Sequence, residues 1–141
     1  MKSNSGVTLT ALTIYIIALT IVVAIIARIS IYFYRNVNNI NSNTTASTEY
    51  TKFNSYFTDE INIEENQVAD CDVDASGMQY IIFSKTQNQY SYKNGSIYRN
   101  STKIASNIDE CNFIYDTNTK IITVNLTING KTFNTNYTVV K

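Results

Sequence analysis

Residues Gly6 to Tyr34 read GVTLTALTIYIIALTIVVAIIARISIYFY, and no charged residue occurs from Val7 to Ala27. A run of roughly 20 apolar residues, at about 1.5 Å each, is long enough to cross the ~30 Å hydrocarbon core of a bilayer. The run contains no Pro, and its only Gly stands at its start, so nothing in it interrupts an α-helix. We therefore predict a membrane-spanning helix over residues 7–35. The alternative is the buried core helix of a soluble domain.

The segment does not have the pattern of a cleaved secretory signal peptide. Such a peptide has an apolar core of about 7–15 residues and a small-x-small cleavage site. Here the apolar core is longer, and the spacing of Ala24 and Ala27 does not fit that site. A signal anchor that stays in the membrane needs only an apolar run behind a basic start, which Lys2 supplies weakly.

The junction before the apolar run suggests another kind of signal. Lys2-Ser3-Asn4-Ser5-Gly6, followed by Val7-Thr8-Leu9, resembles the class III signal of type IV pilins and pseudopilins. In that family a prepilin peptidase cuts after the Gly and methylates the new N-terminus. The resemblance implies a leader at residues 1–6, cleavage after Gly6 and a mature chain that starts at Val7.

Two positions depart from the family pattern. The first mature residue is usually Phe and the fifth is usually Glu, where this chain has Val7 and Ala11. In the family that Glu is thought to pair with the N-terminal ammonium of a neighbouring subunit, since a buried carboxylate is costly without a partner. A subunit with Ala11 could join by apolar packing at a filament end or as a minor component. Alternatively, some lineages never use the carboxylate.

Composition limits the other functions. Of the 141 residues roughly 100 remain beyond the apolar helix, enough for one small domain. Basic and acidic residues balance at 11 each, so there is no electrostatic case for nucleic acid. The chain has no His, the commonest general base, and no phosphate-binding loop or nucleophile elbow. We read Glu60, Glu64 and Glu65 as a solvated helix end, and predict neither an enzyme nor a cofactor.

After the apolar run, residues 36–48 form a tract rich in Asn, Ser and Thr. These side chains compete with helix hydrogen bonds, so we expect the helix to fray or bend in this connection. A helical pattern returns over residues 49–62. Its apolar stripe, expected to pack on a sheet, is Tyr50, Phe53, Phe57 and Ile61.

The rest of the outer domain, residues 49–141, is expected to be β-structure, with strands over residues 78–140. Asn94-Gly95 and Asn129-Gly130 lie between alternating polar and apolar segments and predict tight hairpin turns. Strands joined by such turns are antiparallel, and one apolar face is left for a helix. The predicted fold class is α+β, a long N-terminal helix packed on an antiparallel sheet.

This order of elements resembles the pilin architecture. The segment Tyr90–Arg99, followed by Ile104–Ile108 and Phe113, is similar to a feature of J-type minor pseudopilins and of competence pseudopilins. The resemblance implies a bacterial subunit of a type IV pilus, type II secretion or competence filament. Its partners would be other pilin or pseudopilin subunits, the prepilin peptidase and the assembly platform of the inner membrane. The alternative is a single-pass, signal-anchored surface protein with a β-rich binding domain.

Two observations bear on the orientation of the predicted helix in the membrane, and they oppose each other. Arg28 and Arg35 follow the apolar run while only Lys2 precedes it, which slightly favours the opposite orientation by the positive-inside rule. The domain is rich in Asn, Ser, Thr and Tyr and contains both cysteines, which favours an extracytoplasmic domain and a cytoplasmic N-terminus.

Cys71 and Cys111 favour one disulfide, and two buried thiols are the alternative. With no His available they make a poor zinc site. Asp70, Asp72 and Asp74 have the alternate spacing that begins a calcium loop, but Ile81 stands where an EF-hand has Glu. The EF-hand reading fails, which leaves a solvated acidic turn or an irregular calcium site. We predict no metal site of a regular kind.

Overall fold

The computed structural model describes residues 9–139, which form one helix and eight strands. The chain divides between Asn41 and Ser42 into two compact units. Helix α1 covers Leu9–Ile61. The strands are β1 Val68–Val73, β2 Gln79–Phe83, β3 Gln89–Lys93, β4 Ser96–Arg99, β5 Thr102–Ser106, β6 Ile108–Asp116, β7 Ile121–Ile128 and β8 Lys131–Thr138.

Helix α1 continues through the polar tract where fraying or bending was expected. Residues 36–48 are all helical. The helix is therefore not interrupted in this connection, and no separate helix begins at residue 49. Propagating a helix adds one hydrogen bond for each residue fixed, whereas starting a new helix requires a costly nucleus. Asn, Ser and Thr each lower helix stability by only a fraction of 1 kcal/mol relative to Ala, and none of them removes a backbone hydrogen bond as Pro would.

The strands form two antiparallel sheets instead of the single sheet that the sequence suggested. One has five strands in the order β1-β2-β3-β4-β5, and the other has three in the order β6-β7-β8. The chain passes between them at Asn107, whose φ of 58° breaks the extended backbone after β5. Strand β6 then pairs with β7 from Ile108 to Asp116.

Strand β1 lies before the predicted start of β-structure at residue 78. Its sequence, VADCDV, alternates apolar and acidic residues from Ala69 to Val73, although most of its residues are exposed. It is held instead by pairing with β2, from Val68 opposite Phe83 to Val73 opposite Gln79.

Both expected hairpin turns are present. Asn94 and Gly95 join β3 to β4 with φ values of 49° and 69°. Asn129 and Gly130 join β7 to β8 with φ values of 49° and 74°. Two consecutive positive φ angles are the geometry of a type I′ turn, which Asn-Gly adopts at low cost.

The core of the second unit forms where α1 meets both sheets. Phe53, Phe57 and Ile61 are buried, and Tyr50 packs against the core from its edge. Phe57 lies at its centre, with its ring 5.1 Å from that of Tyr90 in the larger sheet and 6.0 Å from that of Phe113 in the smaller one. The predicted apolar stripe is therefore the packed face of the helix.

Candidate functional site

The apolar part of α1 presents its side chains outward. Large hydrophobic residues are at least half exposed along this part of the helix, from Leu9 at 81% to Tyr34 at 68%. Its most apolar window has a mean hydropathy of 2.7 and no buried residue. The helix is long and apolar enough to span a membrane.

Three hydroxyl groups within this segment are satisfied by the helix backbone. The hydroxyls of Thr13, Thr20 and Ser30 each donate to the carbonyl four residues earlier, at distances of 2.8–2.9 Å. An unsatisfied polar group in hydrocarbon costs several kcal/mol, and this back-bonding avoids that cost. The three polar residues are thus compatible with a lipid or helix-bundle environment.

The residues expected at the processing site lie mostly before the described part of the chain. Gly6, Val7 and Thr8 fall outside residues 9–139. Leu9 is the first helical residue described, and Ala11 lies one half-turn further along α1, partly exposed. A methyl side chain at residue 11 cannot pair with an ammonium group, whatever its position.

Glu60, near the end of α1, is the main departure from the expected solvated helix end. Its carboxylate is buried, with the residue 1% exposed, whereas Glu64 and Glu65 are exposed. Both oxygens accept hydrogen bonds from several elements. The donors are Asn66 Nδ2 at 2.9 Å, Asn88 Nδ2 at 2.9 Å, Arg99 Nη2 at 3.0 Å, Tyr90 Oη at 3.3 Å and Thr86 Oγ1.

The hydrogen bonds around Glu60 keep it ionised. Burial acts to raise the pKa of its carboxyl, but hydrogen bonds from Thr86, Asn88 and Asn66, with the charge of Arg99, outweigh burial and lower the pKa. A carboxylate that already accepts this many donors is a poor general base, because few lone pairs remain for a substrate proton. The arrangement fastens the end of α1 to the loop between β2 and β3 and to β4.

Glu49 forms a second buried anchor on the same helix. One oxygen accepts from Lys52 Nζ at 2.6 Å, and the other accepts from the Ser106 backbone N at 2.7 Å and Oγ at 3.1 Å. Burial acts to raise the pKa of Glu49, and these bonds lower it overall. Eleven residues separate the two acids, close to three helical turns, so both reach the larger sheet from one face.

The sequence contains a signal for both anchors, which the prediction of a solvated helix end overlooked. Glu49 precedes Phe53 by four residues and Glu60 follows Phe57 by three, so both acids lie on the buried stripe of the helix. An acid on an apolar stripe predicts a buried, paired carboxylate. Its partners could not be named, because Thr86, Asn88 and Arg99 are distant in sequence.

Both cysteines are free thiols in the structure. The structure therefore contains two thiols, as in the alternative prediction, and not the disulfide. Cys71 lies on β1 in the larger sheet, and its Sγ donates to the Phe113 carbonyl at 3.5 Å. Cys111 is buried on β6. Burial raises the pKa of both thiols, that of Cys71 to about 11, so neither is a reactive thiolate at neutral pH.

The three aspartates near Cys71 do not converge. Asp70 accepts from the Tyr80 hydroxyl at 2.8 Å, and Asp74 accepts from the Ser76 and Met78 backbone at 2.8 and 2.9 Å. Asp72 accepts from the next backbone N at 2.7 Å. Within residues 9–139 no group of three His, Cys, Asp or Glu could hold a metal ion.

Comparison with protein-family models, curated proteins and solved structures found no match to any of them.

Proposed function

We propose that the chain is a minor pilin or pseudopilin subunit of a type IV pilus, type II secretion or competence filament. The leader is cut after Gly6, and the chain assembles through its apolar N-terminal helix. The observation that carries the proposal is α1 itself. Its first part is apolar and uncovered, while its last turns form the core of the β-rich domain.

The proposed mechanism is mechanical. Before assembly the apolar segment lies in the bilayer, with the domain on the extracytoplasmic side. After leader removal the segment exchanges lipid contacts for contacts with similar helices. Helix association in an apolar environment depends on packing and satisfied polar groups, and the back-bonded Thr13, Thr20 and Ser30 keep their own hydroxyls paired in that exchange.

Glu49 and Glu60 give this mechanism a second part. A subunit in a filament must transmit force between its assembly helix and its domain. The last turns of α1 are held to the larger sheet by two buried carboxylates and to both sheets by Phe57. Anchors of this kind resist sliding of the helix along the sheet.

The second candidate is a single-pass, signal-anchored bacterial surface protein whose helix stays in the membrane. Ala11 favours it, since the usual carboxylate is replaced.

The mass of the mature chain distinguishes the two candidates. The full-length chain is expressed with and without a prepilin peptidase, and its intact mass and N-terminal sequence are determined. The first proposal predicts a methylated Val7 at the N-terminus only when the peptidase is present, and an uncut chain for Gly6→Val. Ser3→Val is the matched control and should still be cut. An intact leader in the presence of an active peptidase selects the signal-anchored protein.

A further inference from the structure

Two arginines lie on one face of α1 where the apolar run ends. Arg28 and Arg35 are both exposed and are separated by seven residues, about 20° short of two full turns. Their Cα atoms are about 10 Å apart along the helix axis, at 1.5 Å per residue. The two guanidinium groups therefore project from the same side of the helix at successive depths.

This part of the chain offers these arginines no anion. The first acidic residue of the sequence is Glu49, which is paired with Lys52. In the described chain the other ion pair joins Arg99 to Glu60, in the second unit. The segment of α1 before Glu49 contains no acid, so both exposed cations are available to an anion from outside the chain.

The surroundings of the arginines combine polar and apolar groups. Tyr32, Phe33 and Tyr34 lie between them, each about 70% exposed. Aromatic residues of this kind concentrate at the membrane–water interface. A shallow, open groove of about 690 Å³ lies along one side of this part of the helix, lined by Ser30, Ile31, Tyr34, Arg35, Asn38 and Asn39. The end of the groove near Ile31 is apolar. The other end carries the Arg35 guanidinium and the Asn38 and Asn39 amides.

Distances along the helix indicate where the groove lies relative to the bilayer. Leu9 to Ala27 spans about 28 Å, close to the ~30 Å hydrocarbon thickness of a bilayer. When this segment fills the hydrocarbon, Arg28 lies at its boundary and Arg35 lies about 10 Å further out, among or just beyond the headgroups. Long Arg side chains at such a boundary extend their charge toward the polar layer.

We propose that Arg28 and Arg35 bind the phosphate of an anionic phospholipid. The lipid's acyl chains lie along the apolar end of the groove beside Ile31, and the Asn38 and Asn39 amides face its headgroup. A second copy of the chain is a less suitable partner. A parallel neighbour would present its own arginines at the same depth and no acid before Glu49. The inference goes beyond the proposed function and does not depend on leader cleavage.

The test measures lipid selectivity of the full-length chain. The chain is reconstituted in vesicles of phosphatidylcholine with phosphatidylglycerol, and spin-labelled lipids report the association constant of each lipid with the protein. We expect a preference for phosphatidylglycerol that decreases up to roughly thirty-fold in R28Q/R35Q, taking about 1 kcal/mol for each basic residue near an anionic surface. The preference should also decrease with added salt.

A control variant removes two positive charges elsewhere. K93Q/K103Q changes two exposed lysines of the larger sheet and should keep the preference of the wild type. Circular dichroism confirms that both variants keep their helix. Equal selectivity in the wild type and in R28Q/R35Q overturns the proposal. Loss of association between copies in R28Q/R35Q, with lipid selectivity unchanged, also overturns it and identifies a second copy as the partner.

Discussion

At the scale of single residues, the stability of the domain depends on charges placed away from water. Removing one member of a buried ion pair leaves an uncompensated charge or unpaired donors, at a cost of about 3–5 kcal/mol. Glu60 is the buried member of such a pair, with Arg99. The groups that donate to it, on Asn66, Asn88 and Arg99, lie on three different segments. Arg99 is about one-third exposed, so water can partly solvate it when its partner is lost.

We predict that Glu60→Ala lowers the free energy of unfolding by about 3 kcal/mol, at the lower end of that range because of the exposure of Arg99. Glu64→Ala is the matched control, since Glu64 is an exposed acid four residues away. It should change stability by less than about 0.5 kcal/mol. Urea unfolding of the full chain in detergent measures both, and equal effects would contradict a buried role for Glu60.

The same carboxylate predicts a dependence of stability on pH. Its pKa is lowered in the folded chain, so its contribution is complete above the unfolded value, roughly 4.3, and is lost as pH decreases toward the lower folded value. Stability should therefore be level near neutral pH and decrease below about pH 4. Glu60→Gln should reduce the slope of that decrease. The smaller slope that remains comes from Glu49, Asp74 and Asp116, whose pKa values are also lowered. An unchanged slope would show that Glu60 does not contribute.

Sequence reasoning at this scale succeeded for backbone geometry and failed for Glu60. Asn94-Gly95 specifies its turn locally, because both residues tolerate positive φ. Glu60 is decided by groups brought close only by folding, such as Arg99, 39 residues away. Composition alone made it look like the neighbouring Glu64 and Glu65.

At the scale of elements, the helix selects one face for burial. Phe57 is fully buried against rings from both sheets, while its neighbour Tyr56 is 45% exposed. The period of the apolar stripe predicted this face correctly. The division into two sheets was not predictable in this way. Strand β1 was missed because its two acids suggested a solvated turn, whereas the strand is held by its pairing with β2.

We predict that Phe57→Ala destabilises the chain by about 3–5 kcal/mol, because a buried aromatic ring is replaced by a cavity. Tyr56→Ala, one residue earlier on the exposed side, should cost less than about 1 kcal/mol. The backbone carbonyl of Tyr56, which accepts from the Tyr90 hydroxyl, is retained in that variant. Thermal unfolding followed by circular dichroism compares the two. Similar unfolding temperatures for the two variants would contradict the assignment of Phe57 to the buried face of α1.

At the scale of the whole molecule, the chain combines an uncovered apolar helix segment with a packed α+β domain. The length and composition of the apolar run predicted the first part directly from sequence. The continuity of the helix through residues 36–48 was not predicted, because local propensity favours a break there, whereas extending an existing helix costs less than starting another. The proposed assembly depends on the uncovered segment.

The central claim is that this segment contacts similar helices after processing. A photo-cross-linking amino acid placed at Leu19, which is 65% exposed, tests it in cells with and without the prepilin peptidase. The account predicts cross-linked adducts with pilin-like chains only when the peptidase is present, and adducts with lipid when it is absent. Adducts with lipid alone under both conditions would contradict it.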